Sequence, residues 1–218
     1  MSTTRGVITF SFDDGYSQTY ENVLPILNQH EMPGVFALPL NSARVEAKEG
    51  RSIRPWSAWL DLTKHGHEIA AHSINHVDLT KITAEQLTQE LAEPVQKLAA
   101  KTLVYPGGAH NDNVRKATAQ HYSAARSLVR GLETTPPTDP YKIRSFDFTR
   151  RNFRVWKANL LAIWAVVSNK WLVETFHIVD NSEHEKEHTI STDDFARHVA
   201  FVSKLPIAVK TIQQVIEL

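Results

Sequence analysis

Six short runs rich in β-branched and aromatic residues interleave with six longer stretches whose apolar residues recur at three- and four-residue spacing. The runs are 6–12, 34–40, 67–73, 102–106, 171–179 and 206–212, and they read as strands. The longer stretches, QTYENVLPILNQHE, PWSAWLDLTKHG, TAEQLTQELAEPVQKLAA, NDNVRKATAQHY, VWKANLLAIWAVVSNK and STDDFARHVAFVSKL, read as helices. Such alternation predicts an α/β fold, a parallel sheet with helices packed outside it. Helix-start signals agree, with Thr83 three residues before Gln86 and Ser191 three before Asp194. Residues 131–145 hold Pro136, Pro137 and Pro140 and read as a surface loop within one domain spanning 1–218, since the same pattern resumes beyond them. No internal repeat and no low-complexity tract is visible.

Charge and composition narrow the function. The 24 basic residues balance the 24 acidic ones, and no block of like charge marks a footprint for nucleic acid or an anionic membrane. With no cysteine, a metal has to be held by histidine and carboxylate. No apolar run approaches the roughly 18 residues of a membrane span, and MSTTRGVITF lacks the pattern of an export signal. The expectation is a soluble chain, cytoplasmic as the sequence stands and extracellular or periplasmic if an export segment has been removed. Oligomeric state is not readable from one sequence.

In parallel α/β architectures ligands gather at the carboxyl ends of the strands. Asp13 and Asp14 close the first predicted strand, His72 the third, YPGG follows the fourth, and His177 lies near the end of a later one. Two histidines and a carboxylate make a facial set that leaves positions open for water and substrate. The four-residue gap in HSINH lets both imidazoles, His72 and His76, face one way. Of two adjacent aspartates at a strand end, one can bind metal while its neighbour takes a proton from metal-bound water. Gly15 permits the tight exit. Taken singly, Asp-Asp-Gly is more often a turn and His-x-x-x-His a solvated helix face; their joint placement at strand ends argues for a site.

TFSFDDGY, HSINH, YPGG and VETFHIVD, in that order, resemble the successive motifs of the polysaccharide deacetylases, carbohydrate esterase family four, with the nodulation-factor deacetylase homology domain. The likeness runs from Gly6 to about residue 203. It implies a distorted (β/α)7 barrel and a metal-dependent hydrolase that removes acetyl groups, N-acetyl ahead of O-acetyl, from a carbohydrate polymer or oligosaccharide. Carried over by position, Asp14, His72 and His76 would bind one divalent metal, zinc first, with cobalt, nickel or manganese as alternatives. Asp13 would be the general base, His177 the general acid, and the Gly107 amide an oxyanion donor. Asp147 would tune His177, and Tyr105, Pro106, Trp56 and Trp156 would face substrate.

The chain departs from the family's pattern twice. Leu103, Val104 and Tyr105 stand where many members carry an arginine that holds the base aspartate, which leaves Arg126 or Arg144 from later loops for that task. SFDFTRRN supplies Asp147 without the family's tryptophan. Two rival readings remain: a metal-assisted amidohydrolase acting on a small cyclic amide or ureide, and a silent carbohydrate-binding module. His184–His188 matches the H-E-x-x-H pattern of zinc proteases, but its polar flanks read as a solvated loop. Trp59, Trp164 and Trp171 are expected in the core, and His65 and His67 in structural roles at a helix end.

Overall fold

The structure, a computed structural model, describes residues 5–181 and 187–218. Its first half runs β1 (Val7–Asp13), α1 (Ser17–Gln29), β2 (Val35–Leu38), α2 (Ala43–Glu49), β3 (Glu68–Ala71), α3 (Ala84–Leu98), β4 (Thr102–Val104), α4 (Asp112–Thr118) and β5 (Ala124–Arg126). There follow β6 (Phe146–Asp147), α5 (Val155–Ser168), β7 (Trp171–Phe176), β8 (Ile178–Val179), β9 (Thr189–Ile190), α6 (Thr192–Val202), β10 (Ala208–Val209) and α7 (Ile212–Ile216). Three 3-10 helices, Trp56–His65, Leu79–Lys81 and Pro106–Gly108, lie in the connections.

The main sheet runs β5-β4-β3-β2-β1-β7-β6, with β10 added beside β1, and every pairing is parallel. Parallel strands covered on both faces carry near-continuous apolar sequence, and all seven residues of β1 are buried. Their alternation still divides the core. Ile8, Phe10 and Phe12 pack outward under the helices, whereas Val7 joins Val35, Ala37, Ala70, Val104, Ala124 and Val173 inside the curl of the sheet. Between β5 and β6 the wall is made by irregular chain: Ile143 N–H donates to Ala125 O at 3.0 Å, and Ser145 N–H to Val129 O at 3.0 Å. The proline-rich stretch 131–145 therefore ends as part of the barrel wall. The result is the distorted (β/α)7 barrel, with Ile212 and Val215 of α7 filling its base.

Several elements depart from expectation. The run 171–179 breaks at His177, and Ile178–Val179 pair with Thr189–Ile190 in a separate small sheet. The run 206–212 is strand only at Ala208–Val209, because Thr211 and Gln214 form a reciprocal capping box that starts α7. β5 and β6 are too short to show a period, and α2 was not expected. Trp59 and Trp171 are fully buried, but Trp164 is 53 % exposed: the inner face of α5 consists of Ala158, Ala162 and Ala165, and the large residues point out. His67 is structural as expected, its Nδ1 accepting from Gly34 N–H at 3.0 Å.

At the base of the barrel, the buried Glu68 carboxylate accepts from Gln213 N–H at 2.8 Å and from the Thr102 hydroxyl. Burial raises the Glu68 pKa against the opposing pull of these donors. A raised folded-state pKa means that the group's contribution to stability is complete below about pH 4 and is lost as pH rises through the folded value. Glu68→Gln keeps an acceptor for Gln213 and offers Thr102 a donor, so it should gain stability on the wild type between acid and mildly alkaline pH in urea melts. Glu68→Ala strands both partners and should cost about 1–3 kcal/mol.

Candidate active site

Asp13 is the last residue of β1 and points into the barrel. Were the strand to continue, Asp14 would turn to the helix side; instead its backbone adopts φ +75° and Gly15 follows at φ +77°. That left-handed step brings both carboxylates to one rim. The positive φ of Gly15 favours glycine, and a Cβ there would lie 2.9 Å from Leu38 Cδ2, which would have to shift. The loop after β3 is built in the same way, with Ser73 at φ +63° and His76 at φ +49°. Non-glycine residues adopt this region rarely and at a cost. Glu90 of α3 holds the loop, its carboxylate accepting from Ile74 N–H at 2.8 Å, Asn75 N–H at 3.0 Å and Asn75 Nδ2 at 2.6 Å. Ser73 Oγ accepts from His76 N–H at 3.0 Å.

Asp14, His72 and His76 offer three ligand atoms within 4.8 Å of one another. Asp14 Oδ1 lies 3.5 Å from His72 Nε2 and 3.3 Å from His76 Nε2, and it is buried with no hydrogen-bond donor. The second Asp14 oxygen accepts from Tyr16 OH at 3.2 Å. His72 Nδ1 donates to Val104 O at 2.7 Å, which turns Nε2 toward Asp14; burial lowers the His72 pKa, but Asp14 and Asp13 outweigh it and raise it, so a cation bound at Nε2 would replace a proton there. Burial pushes the His76 pKa down to about 4, with the His72 charge adding to the effect, so His76 is neutral at ordinary pH. For Asp14, burial works against ionisation, but the close approach of the His72 ring and the charges of His177, His72 and His76 outweigh it and hold the carboxyl well below its usual range. An orphaned carboxylate oxygen, a ring nitrogen of His72 turned toward it and a neutral imidazole fit a divalent cation with positions left open.

Asp13 lies on the other side of this set. Arg126 Nη2 donates to both Asp13 oxygens at 2.6 Å, and the Arg126 side chain is fully buried. Burial would raise the Asp13 pKa, but the charges of Arg126, His177 and His72 prevail and lower it. His177 Nε2 stands 3.9 Å from Asp13 Oδ2, and its Nδ1 stands 3.7 Å from Asp147 Oδ1. Both atoms of the His177–Asp147 approach are buried without hydrogen-bond partners. Thr19 Oγ1 donates to the His177 backbone oxygen at 2.7 Å and ties this corner to α1.

A family model described as polysaccharide deacetylase matches residues 1–124. The chain belongs to the polysaccharide deacetylase family. It is similar to the peptidoglycan-N-acetylmuramic acid deacetylase PdaA of Bacillus subtilis (strain 168), 30 % identical over 126 residues, which cover 54 % of this chain and 44 % of that protein. The chain spans less than half the length of the curated relatives it matches. Among solved structures it resembles the Xyl-CE4 domain of a multidomain xylanase from the hindgut metagenome of Trinervitermes trinervoides. That match has a TM-score of 0.62 and 17 % identity, over 98 % of this chain and 90 % of that one. BA3943, a CE4 family pseudoenzyme from Bacillus anthracis, matches with a TM-score of 0.62 and 12 % identity, over 98 % of this chain and 66 % of that one. At these identities the structural matches establish the shared fold.

Asp13, Asp14, His72, His76 and His177 thus meet at one rim, and one expectation is sharpened. Arg126, not Arg144, pairs with Asp13, and it comes from strand β5 instead of a later loop; Arg144 is turned toward Glu133 at 3.4 Å. Glu90 and Tyr16 were not singled out in the sequence, because nothing local separates a surface-patterned glutamate or a tyrosine from a buried partner.

Four residues expected to face substrate do not line the cavity of about 260 Å³ that Asp14, Tyr16, Arg44, Val45, Lys48, Glu49 and His76 enclose. Tyr105 is fully buried with its hydroxyl donating to Tyr141 O at 3.0 Å, and Pro106 is buried beside it. Trp56 packs half-buried on the core, and Trp156 is 60 % exposed on α5. Gly107 follows Val104, the His72 partner, by three residues, at φ +58° and exposed to solvent. Of the protease-like pattern, His184–Lys186 lie outside the described residues. The His188 ring lies 4.9 Å from that of His177, tilted by 44°, and its Nδ1 lies 3.3 Å from Glu49.

Removing Arg126 leaves a buried aspartate without its counter-charge. Arg126→Ala should destabilise the fold by about 3–5 kcal/mol in chemical denaturation. In Asp13→Asn/Arg126→Ala the loss should be smaller than the sum of the two single losses.

Proposed function

We propose that this chain hydrolyses acetyl groups from a carbohydrate by a metal-dependent route, N-acetyl ahead of O-acetyl. The observation that carries the proposal is the convergence of a three-ligand set with an aspartate and a histidine that stand 3.9 Å apart beside it. A divalent metal, zinc first, held by Asp14, His72 and His76 would polarise the acetyl carbonyl and lower the pKa of a water from about 15.7 to about 7. Asp13, at the edge of that set, would accept the proton of the attacking water. An aspartate held ionised by Arg126 is a weak base, suited to an acidified water and not to bulk water, which supports its working beside a metal.

His177 gives its Nε2 proton to the departing nitrogen. An amine leaves far more readily protonated than as an anion, so an acid placed opposite the base supports an N-acetyl substrate. Asp147, with its Oδ1 3.7 Å from the far ring nitrogen of His177, is placed to orient the ring. The Gly107 N–H is assigned to the oxyanion that forms as water adds to the carbonyl, one donor of the kind worth about 10²–10³ in rate. The wall of α2 adds Arg44 to the cavity, beside Lys48 paired with Glu49 at 3.6 Å, and Arg44 supports a glycan carrying a carboxylate, as a muramic acid residue does.

The test is acetate release from N-acetylated and O-acetylated oligosaccharides after chelation and reloading with zinc, cobalt, nickel or manganese. Activity should vanish on chelation and return with metal. Asp13→Asn and His177→Ala should each lower kcat about 10²–10⁴-fold while metal content stays stoichiometric. Release from cyclic imides alone, or metal binding without any turnover, would discard the proposal in favour of the amidohydrolase or the silent module. Since Arg126 lowers the Asp13 pKa, Arg126→Lys, with its poorer fit to both oxygens, should shift the acid limb of kcat/KM to higher pH.

A further inference from the structure

Helix α5 is turned inside out relative to an ordinary surface helix. Its barrel-facing side is Ala158, Ala162 and Ala165, all fully buried, while Trp156, Leu160, Ile163, Trp164 and Val167 are 60, 54, 38, 53 and 75 % exposed. At 100° per residue these five large side chains fall on one stripe opposite the alanines. An amphipathic surface helix does the reverse, and a helix apolar all round requires a cover. The sheet does not select this pattern, because the alanines alone satisfy the close packing under α5. There, Gly6 comes so near that an added Cβ would lie 2.5 Å from Ala165 O.

The stripe is framed by positive charge. From 148 to 170 the sequence carries five lysines and arginines and no acid. The net neutrality of the chain conceals this segregation. Arg150, Arg151 and Arg154 are exposed ahead of the helix, Lys157 flanks the stripe with its Nζ 5.4 Å from the Trp156 ring, and Lys170 follows the helix end. Arg151 also reaches Glu187 at 3.4 Å.

We propose that α5 docks on an anionic lipid bilayer, lying in its interface with the apolar stripe immersed and the flanking cations at the headgroups. Tryptophans near both ends of an aliphatic stripe, with lysine and arginine beside it, are the residues that a headgroup boundary favours. The helix is about 21 Å long, too short for a hydrocarbon core of about 30 Å, so it lies on the membrane and does not cross it. A second copy of the chain fits poorly. Across a two-fold axis α5 would meet α5, and either orientation sets cations against cations, with no acid on the helix to pair them. α5 descends from the rim after β6 to the base before β7, so a helix lying flat directs the mouth of the active site along the membrane surface.

The experiment is flotation of the whole chain with vesicles of phosphatidylcholine alone or of equal parts phosphatidylcholine and phosphatidylglycerol. Its companions are quenching of tryptophan fluorescence by bromine-labelled lipid and sedimentation velocity without lipid. Binding should occur on the anionic vesicles, weaken with salt, and be accompanied by quenching. Leu160→Ser/Trp164→Ser and, separately, Arg151→Glu/Lys157→Glu should each lower the partition coefficient at least about tenfold, with the melting temperature and the acetate assay unchanged. Equal binding to both vesicles, or none to either, overturns the proposal. So does a dimer that Leu160→Ser/Trp164→Ser dissolves, and so does capture by poly-glutamate without vesicle binding, which would assign the face to an acidic protein.

Discussion

The pair between Asp13 and Arg126 is the constraint on which the site depends. β1 and β5 are four strand steps apart in the sheet, and in a flat sheet their ends would be separated by about 19 Å. An arginine side chain cannot cross that distance. Its guanidinium nevertheless lies 2.6 Å from both carboxylate oxygens, which is possible only because the sheet curls until its first and fifth strands face each other across the interior. Small residues such as Ala37, Ala70 and Ala124 on the inner face leave room for that approach. A buried ion pair is weak evidence for net stability, since desolvation offsets much of the attraction. Its consequence here is positional: Asp13 is held ionised, at one orientation, at the rim.

Around that fixed carboxylate the rim accepts backbone strain. Asp14, Ser73 and His76 all have positive φ, a cost of order 1–3 kcal/mol for each, and all three belong to the ligand set or its loop. Neighbouring groups offset the strain. Glu90 takes three donors of the HSINH loop, Ser73 Oγ holds the His76 amide, and Tyr16 holds the outer Asp14 oxygen. The three ligand residues come from two loops that share no continuous strand, so rigidity has to be supplied by these buried partners. α5 is a second departure from local rules, with large apolar residues outward, and it lies on the flank of the barrel and not at its mouth.

What the sequence determined by itself was the alternation of elements and the chemistry of the strand ends. Both are local properties: period two against period 3.6 is written in consecutive residues, and Asp-Asp-Gly or His-x-x-x-His is legible wherever a strand stops. Thr83 with Gln86 formed the capping box that their spacing promised. Tertiary structure decided whatever depends on curvature and on which face of an element is covered. The arginine that serves Asp13 stands 113 residues away on a three-residue strand with no readable period. Tyr105 and Trp156 have the chemistry of sugar contacts, but one is sealed in the core and the other is turned to the outside, because burial is set by neighbours distant in the chain. In α5 the apolar spacing identified a helix, and only packing against the sheet showed that alanines take the inner side. Helical periodicity fixes which residues share a face, and the space left by other elements fixes where that face points.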